Sequence, residues 1–182
     1  MTFMPNHNAS FFEQLLSKSI NRQQFSSISE WHQHFLKITE QRTSTLEQAT
    51  LGGRFSNNMN FAFCAGYQSA IQSLFKPDAR ALASLCITEK EGNHPKHIKS
   101  TLVEHKQAWQ LNGSKSFITG ANDAKKLYIA VTEPPLIQDD TSRPNIKMLS
   151  IPADTTGIQI TPMPPLPFVP DISHGTAAFE HV

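Results

Sequence analysis

Features that would mark a specialised class are mostly missing from this chain. Two cysteines, Cys64 and Cys86, stand in 182 residues, too few for a disulfide framework. Cys64 falls in an apolar helical run and Cys86 in an apolar strand, so both are expected to be buried small hydrophobes with inert thiols. That usage fits a reducing compartment. No run approaches the roughly 20 apolar residues of a membrane span, and no apolar segment follows a basic start, so neither a span nor a signal peptide is expected. The expected address is the cytoplasm. Charge of one sign is also lacking. Sixteen basic and fifteen acidic residues leave a formal net charge of +1, with no basic field to hold a nucleic-acid backbone. Neither nucleic acid nor membrane is an expected partner.

The common reactive motifs are absent too. There is no Walker A loop and no Gly-x-Gly-x-x-Gly fingerprint, nor a Gly-x-Ser-x-Gly elbow. Eight histidines raise the question of a metal. His32 and His34 are two apart on a helix and do not face each other. Pro95 interrupts any helix between His94 and His97, and no cysteine or carboxylate spacing completes a zinc set. No metal site is expected.

What remains is a globular chain. Hydrophobic residues make up 38%, but the near-zero net charge separates it from disorder, which combines low hydrophobicity with high net charge. Its length suits one large domain or two small ones. The pattern changes near Leu82, giving an expected helical domain over 1–81 and a β-domain over 82–182. Ser10-Phe11-Phe12-Glu13 and Ser27-Ile28-Ser29-Glu30 are capping boxes. The first opens a helix with Phe12, Leu15, Leu16 and Ile20 on one face. The second opens one facing inward with Ile28, Trp31, Phe35 and Ile38. A helix from Thr45 to Leu51 is expected to stop at Gly52-Gly53. A third, over 58–75, is apolar on most sides and ends at Pro77, with Asp78 capping a short turn. Strands are expected over 82–88, 100–105, 108–111, 114–119, 126–131, 146–151, 158–162 and 176–182. Asn112-Gly113 predicts a type I′ hairpin turn, and Pro134-Pro135 and 162–170 predict loops or edges.

Certain residues follow in a particular order. An apolar strand Leu85-Cys86-Ile87 ends in Thr88-Glu89, and a loop with Gly92 follows. Then come Ile98-Lys99-Ser100-Thr101, Trp109-x-Leu111-Asn112-Gly113-x-Lys115 and Phe117-Ile118-Thr119. Ile151-Pro152-Ala153-Asp154-Thr155-Thr156-Gly157 and Phe179-Glu180-His181-Val182 complete the series. It resembles the middle β-domain of the acyl-CoA dehydrogenase family from end to end, and the helices before it resemble a shortened form of the family's helical domain.

The resemblance implies an α+β fold, an N-terminal α-helical bundle followed by an antiparallel β-barrel or sandwich. It implies FAD as cofactor and an acyl-CoA thioester as substrate. The activity would be an FAD-dependent oxidation of CH–CH groups, as in fatty acid metabolism, although the fold also hosts other flavin chemistry. By motif position the cofactor would lie against Cys86, Ile87 and Thr88 and against Phe117, Ile118 and Thr119. Ile87 and Thr88 would offer amides and a hydroxyl to the polar edge of the flavin. Phe117 would pack on the ring, and Thr119 would set a hydroxyl near the reactive nitrogen. Gly92 and Asn93 would help to hold the substrate.

The chain departs from the family in two ways. The loop Thr88-Glu89-Lys90-Glu91-Gly92-Asn93-His94 is one residue shorter than the family's Thr-Glu-Pro-Gly-x-Gly-Ser-Asp and has lost most of its glycine, while Lys90 brings a point charge that could meet a phosphate. Phe117 stands where tryptophan is usual. The resemblance does not extend to the family's C-terminal four-helix bundle, which carries the proton-abstracting carboxylate. No catalytic residue is therefore expected in these 182 residues, and a homo-oligomer, a missing C-terminal domain or a partner chain is. Phe61, Phe63, Tyr67 and 164–170 are the expected contact surface. The alternative reading is a non-catalytic relict or adaptor of the same fold that binds a partner protein or a CoA ester.

Overall fold

Ser27 starts the first complete helix as the sequence predicts. Its backbone is extended, and its hydroxyl accepts the Glu30 amide at 3.1 Å. The reciprocal bond is shared differently: the Glu30 carboxylate accepts from both the amide and the hydroxyl of Ser26, each at 2.7 Å. The computed structural model describes residues 11–13, 15–16, 19, 21–76, 80–133 and 144–182. The caps at Ser10 and Asp78, the helix end at Ile20, Pro77 and the Pro134-Pro135 loop lie outside them. Phe11, Phe12, Glu13, Leu15 and Leu16 are helical.

Three helices follow. Helix α1 (Ile28–Ile38) buries Ile28, Trp31 and Phe35. Helix α2 (Thr45–Phe55) starts on Ser44. Helix α3 (Met59–Phe75) starts on Asn58, whose side chain accepts the Phe61 amide at 3.1 Å, and ends on Lys76 in the left-handed conformation. The expected stop at Gly52-Gly53 is wrong, because α2 runs through both glycines to Phe55. Gly52 permits close helix packing instead. A Cβ there would stand 2.6 Å from the Cβ of Ala65 and 2.7 Å from the Phe35 ring.

Seven strands form the second half: β1 (Ala83–Cys86), β2 (Thr101–His105), β3 (Ala108–Thr119), β4 (Lys126–Thr132), β5 (Ile146–Pro152), β6 (Ile158–Pro162) and β7 (His174–Phe179). They make one curled sheet in the order β1-β4-β2-β3-β7-β6, with β5 on the free side of β4. The sheet is mixed rather than wholly antiparallel. The β2–β3, β3–β7, β6–β7 and β4–β5 ladders are antiparallel, whereas β1 runs parallel to β4. Helices followed by a curled sheet are the α+β arrangement expected, with a mixed half-barrel in place of an antiparallel barrel or sandwich.

The hairpin turn lies elsewhere than predicted. Asn112-Gly113 sits inside β3, and the β2–β3 hairpin closes at Lys106-Gln107, both at positive φ (50° and 65°), just beyond the pair His105↔Ala108. Trp109 therefore follows the turn. Gly113 has a different task. It is where β3 passes from β2 (Thr101↔Asn112) to β7 (Gly113↔Phe179). Its φ is 142°, and a Cβ would meet the Ser100 backbone at 2.6 Å. Only glycine lets the strand cross Ser100 so closely.

Strand β4 is buried on both faces, which explains its continuous apolar run. Leu127, Ile129 and Val131 enter the core inside the curled sheet, with Cys86, Leu111 and Ile118. Tyr128 points the other way, toward α3, where its ring stacks on Phe75 with centroids 4.1 Å apart. A separate core joins Trp31, Phe35 and Phe61 of the helices to Leu82, Val169 and Ile172. No helix among the described residues is long and apolar enough to cross a membrane.

Candidate functional site

The two segments singled out in the sequence lie side by side. The Ser84 hydroxyl donates to the Thr119 carbonyl at 2.6 Å, and the Ser116 amide donates to the Thr88 carbonyl at 2.8 Å. Lys115 reaches across beneath them to the Ile87 carbonyl at 3.3 Å.

The face they form is irregular for a local reason. The β3–β7 register shifts between Lys115 and Ile118, a bulge that re-aims side chains. Phe117 takes the strain at φ 55°, a conformation that costs a non-glycine residue about 1–3 kcal/mol. Its ring is 55% exposed, while Ile118 beside it is fully buried. The Thr119 hydroxyl lies 3.4 Å from Nε2 of the buried His174. Nδ1 of His174 is 3.0 Å from the Ile172 carbonyl. A carbonyl only accepts, so Nδ1 carries a proton, and in the tautomer with Nε2 bare that nitrogen accepts from Thr119. The amide of Thr88 meets no partner among the described residues. Phe117 thus presents an apolar ring to solvent, with the Thr88 amide and the half-buried Thr119 hydroxyl on the two adjoining segments.

The other sequence candidates are placed differently. The side chains of Cys86 and Ile118 lie in the core, so each could offer a ligand only backbone. Burial pushes the Cys86 and Cys64 thiols up to about 12, which makes both inert. Gly92 and Asn93 belong to a tight turn. Glu89 and Gly92 exchange amide–carbonyl bonds, each 3.0 Å, around Lys90-Glu91. The Gly92 amide is therefore committed, and among the described residues no hydrogen bond links Gly92 or Asn93 to Thr88, Phe117 or Thr119. An open cleft of about 440 Å³ lined by Ala121, Lys125, Asp154 and Pro162 shares none of these residues.

Beneath the face is a group that sequence reasoning passed over. Lys115 is fully buried, and its ammonium lies 2.6 Å from Oε1 of Glu89, itself only 8% exposed. Glu89 also accepts from the Ser100 amide (3.0 Å), the Ser100 hydroxyl (2.8 Å) and the Lys99 amide (2.8 Å). Burial pushes the carboxyl up, but Lys115 and the Ser100 and Lys99 donors outweigh it and hold Glu89 below its ordinary value. Burial also pulls the Lys115 ammonium down, against the support of Glu89. The signal was strand parity: counting by twos from the buried Leu111 puts position 115 on the inward face, where a lysine requires a partner. His174 gave no comparable signal. Among the described residues, no three His, Cys, Asp or Glu side chains cluster as a metal set.

Residues 84–182 match the acyl-CoA dehydrogenase middle domain. No curated protein matches the chain. Among solved structures, PigA with FAD and proline superposes with a TM-score of 0.70 at 16% identity, covering 100% of this chain and 57% of PigA. Butyryl-CoA dehydrogenase from Megasphaera elsdenii gives 0.62 at 13% identity, over 82% of this chain and 43% of that one. Acyl-CoA dehydrogenase from Geobacillus kaustophilus gives 0.60 at 14%, over 99% and 57%. At such identities the structures establish the fold, and the chain spans well under two thirds of their length.

Proposed function

This chain belongs to the acyl-CoA dehydrogenase family, with the family's middle domain over residues 84–182, and we propose from that premise that it is the flavin-holding part of an FAD-dependent oxidoreductase acting on acyl-CoA thioesters. The reading is supported by the exposed Phe117 ring, by the Thr88 amide, which meets no partner among the described residues, and by the half-buried Thr119 hydroxyl, all on two adjoining segments. A flavin is a flat apolar ring system with a polar edge, and the face offers an apolar surface with a few aimed polar groups. Bound FAD would supply the hydride acceptor.

The chain's own residues then divide the work. Phe117 covers the ring. The Thr88 amide donates to the polar edge, and Thr119, its proton directed at His174, turns oxygen lone pairs toward the ligand. Dehydrogenation of an acyl thioester also needs a base on the opposite face of the α,β bond. Glu89 does not serve, because four donors surround its carboxylate and its proton affinity is lowered. The base is assigned to a further domain or partner chain.

The test is the visible absorbance of the purified chain before and after excess FAD and desalting. Retained flavin absorbance supports the reading, and a colourless protein that rejects FAD overturns it for this chain. Within it, Thr119→Val should weaken FAD binding by about the 0.5–1.5 kcal/mol of one hydrogen bond.

One observation favours a second reading, a non-catalytic module that docks a partner. Met59, Phe63, Gly66, Ala70 and Leu74 follow one face of α3, all exposed, and the helix carries no charged residue. Phe63 and Phe168 are exposed as expected of a contact surface, whereas Phe61 is buried and Tyr67 is half-buried, its hydroxyl accepting the Leu85 amide at 2.7 Å. A chain that rejects FAD and self-associates in light scattering would move the assignment to this reading.

A further inference from the structure

In a trans peptide the carbonyl of one residue and the amide of the next point in opposite directions. The Ile87 carbonyl points at the Lys115 ammonium, 3.3 Å away on a fully buried side chain. The Thr88 amide therefore points away from Lys115, and it meets no partner among the described residues. The ammonium is itself fixed. Glu89 holds it at 2.6 Å, and the two Ser100 donors and the Lys99 amide hold Glu89. The chain is also anchored on the other side of the peptide, where the Thr88 carbonyl accepts the Ser116 amide at 2.8 Å. Rotating the Ile87–Thr88 peptide would leave a buried ammonium short of an acceptor and a carbonyl without its charged donor, both unfavourable in the interior.

We infer that Lys115 is a positioning residue: by holding the Ile87 carbonyl inward through a Glu89-anchored ammonium, it turns the Thr88 amide to the open face as a fixed donor for the polar edge of a flavin ring. This rests on the flavin reading proposed above. The pair does not touch the ligand. It orders the donor before the ligand arrives, so the ordering is not a cost of binding.

The test uses the full chain. Lys115→Met alone leaves a buried carboxylate without its cation, which destabilises the fold whatever the role of Lys115. The deciding variant is Glu89→Gln with Lys115→Met, in which both charges go together. Two readouts are taken: the Ile87 carbonyl carbon shift and Thr88 amide exchange by NMR without FAD, and FAD affinity by flavin fluorescence. The expected result is a folded double variant whose Ile87 and Thr88 signals move while those of Ser84 and Thr119 stay, and whose FAD affinity falls by up to about tenfold, the loss of one hydrogen bond from the Thr88 amide. Unmoved Ile87 and Thr88 signals overturn the role. So does a double variant that binds FAD like the wild type while the wild type binds it. A wild-type chain that takes up no FAD refutes the flavin reading, and the role falls with it.

Discussion

Three helical glycines should respond with opposite signs to the same substitution. Alanine normally stabilises a helix interior relative to glycine by about 0.5–1 kcal/mol. At Gly52 the new methyl would stand 2.6 Å from the Ala65 Cβ and 2.7 Å from the Phe35 ring. Apolar carbons rest at about 3.5–4 Å, so α2 would have to back away from α1 and α3 by roughly 1 Å. Neither neighbour can swing aside: Ala65 has no rotamer, and Phe35 is stacked on Trp31 at 5.1 Å between centroids. Overpacking of this kind costs about 1–3 kcal/mol, which exceeds the helix gain. Gly52→Ala is expected to destabilise by about 1–2 kcal/mol, or roughly 2–8 °C in Tm for a chain of this size. Gly53 would meet only Ala62 at 4.0 Å, and Gly66 would meet nothing within 4 Å. Gly53→Ala and Gly66→Ala should therefore be neutral or stabilising by up to about 1 kcal/mol. Urea denaturation followed by far-UV circular dichroism on the three variants measures this directly. A Gly52→Ala variant that gains stability as Gly66→Ala does would refute the close helix contact.

Acid sensitivity should begin at His32. Burial, and then the charge of Arg80, hold its pKa down to about 4 against an ordinary 6.5. As pH falls below 6.5 the unfolded chain takes up the proton first. Stability is complete above 6.5, declines down to about 4 and is then flat for this group, a loss on the order of 3 kcal/mol. Urea midpoints across that range should show the decline, and His32→Leu should abolish it; an unchanged slope would exclude His32 as the cause. Glu89, whose carboxyl is held below its ordinary 4.5, keeps its contribution above that pH and loses it only in stronger acid, so both proteins should share a second decline there. Phe117→Gly should separate fold from site. Relief of the positive φ raises stability by about 1 kcal/mol, while FAD affinity falls; Phe117→Ala, which keeps the strain, should lose affinity without gaining stability.

Much of this was legible in the sequence because it is local. Ser27 caps the helix that follows as its spacing to Glu30 predicts, since capping needs only a side-chain oxygen three residues from an amide; Ser44 and Asn58 cap theirs by the same rule, which the sequence reading did not apply to them. The strands were legible as short apolar runs between turn signals, and the family's segments by their order. The misplaced features depend on distant neighbours. Asn112-Gly113 has the local preference of a turn, but Ser100 pressing on Gly113 makes it a crossing point, and the turn falls to Lys106-Gln107. Gly52 has the preference of a helix stop, but Ala65 and Phe35 make it a contact. His174 lies 55 residues from Thr119 in sequence, and nothing near either residue announces the pairing.

The passage of β3 between two partners also sets an order of events during synthesis. Its first half can pair at once with β2, through a two-residue turn. Its second half gains its β7 partner only after residues 174–179 have left the ribosome, and until then that side is an unpaired edge beside Ile118 and Phe117. An inward-pointing lysine is one of the devices that discourage such an edge from pairing with another chain. Lys115 occupies that strand, so its charge would protect the nascent edge until β7 covers it.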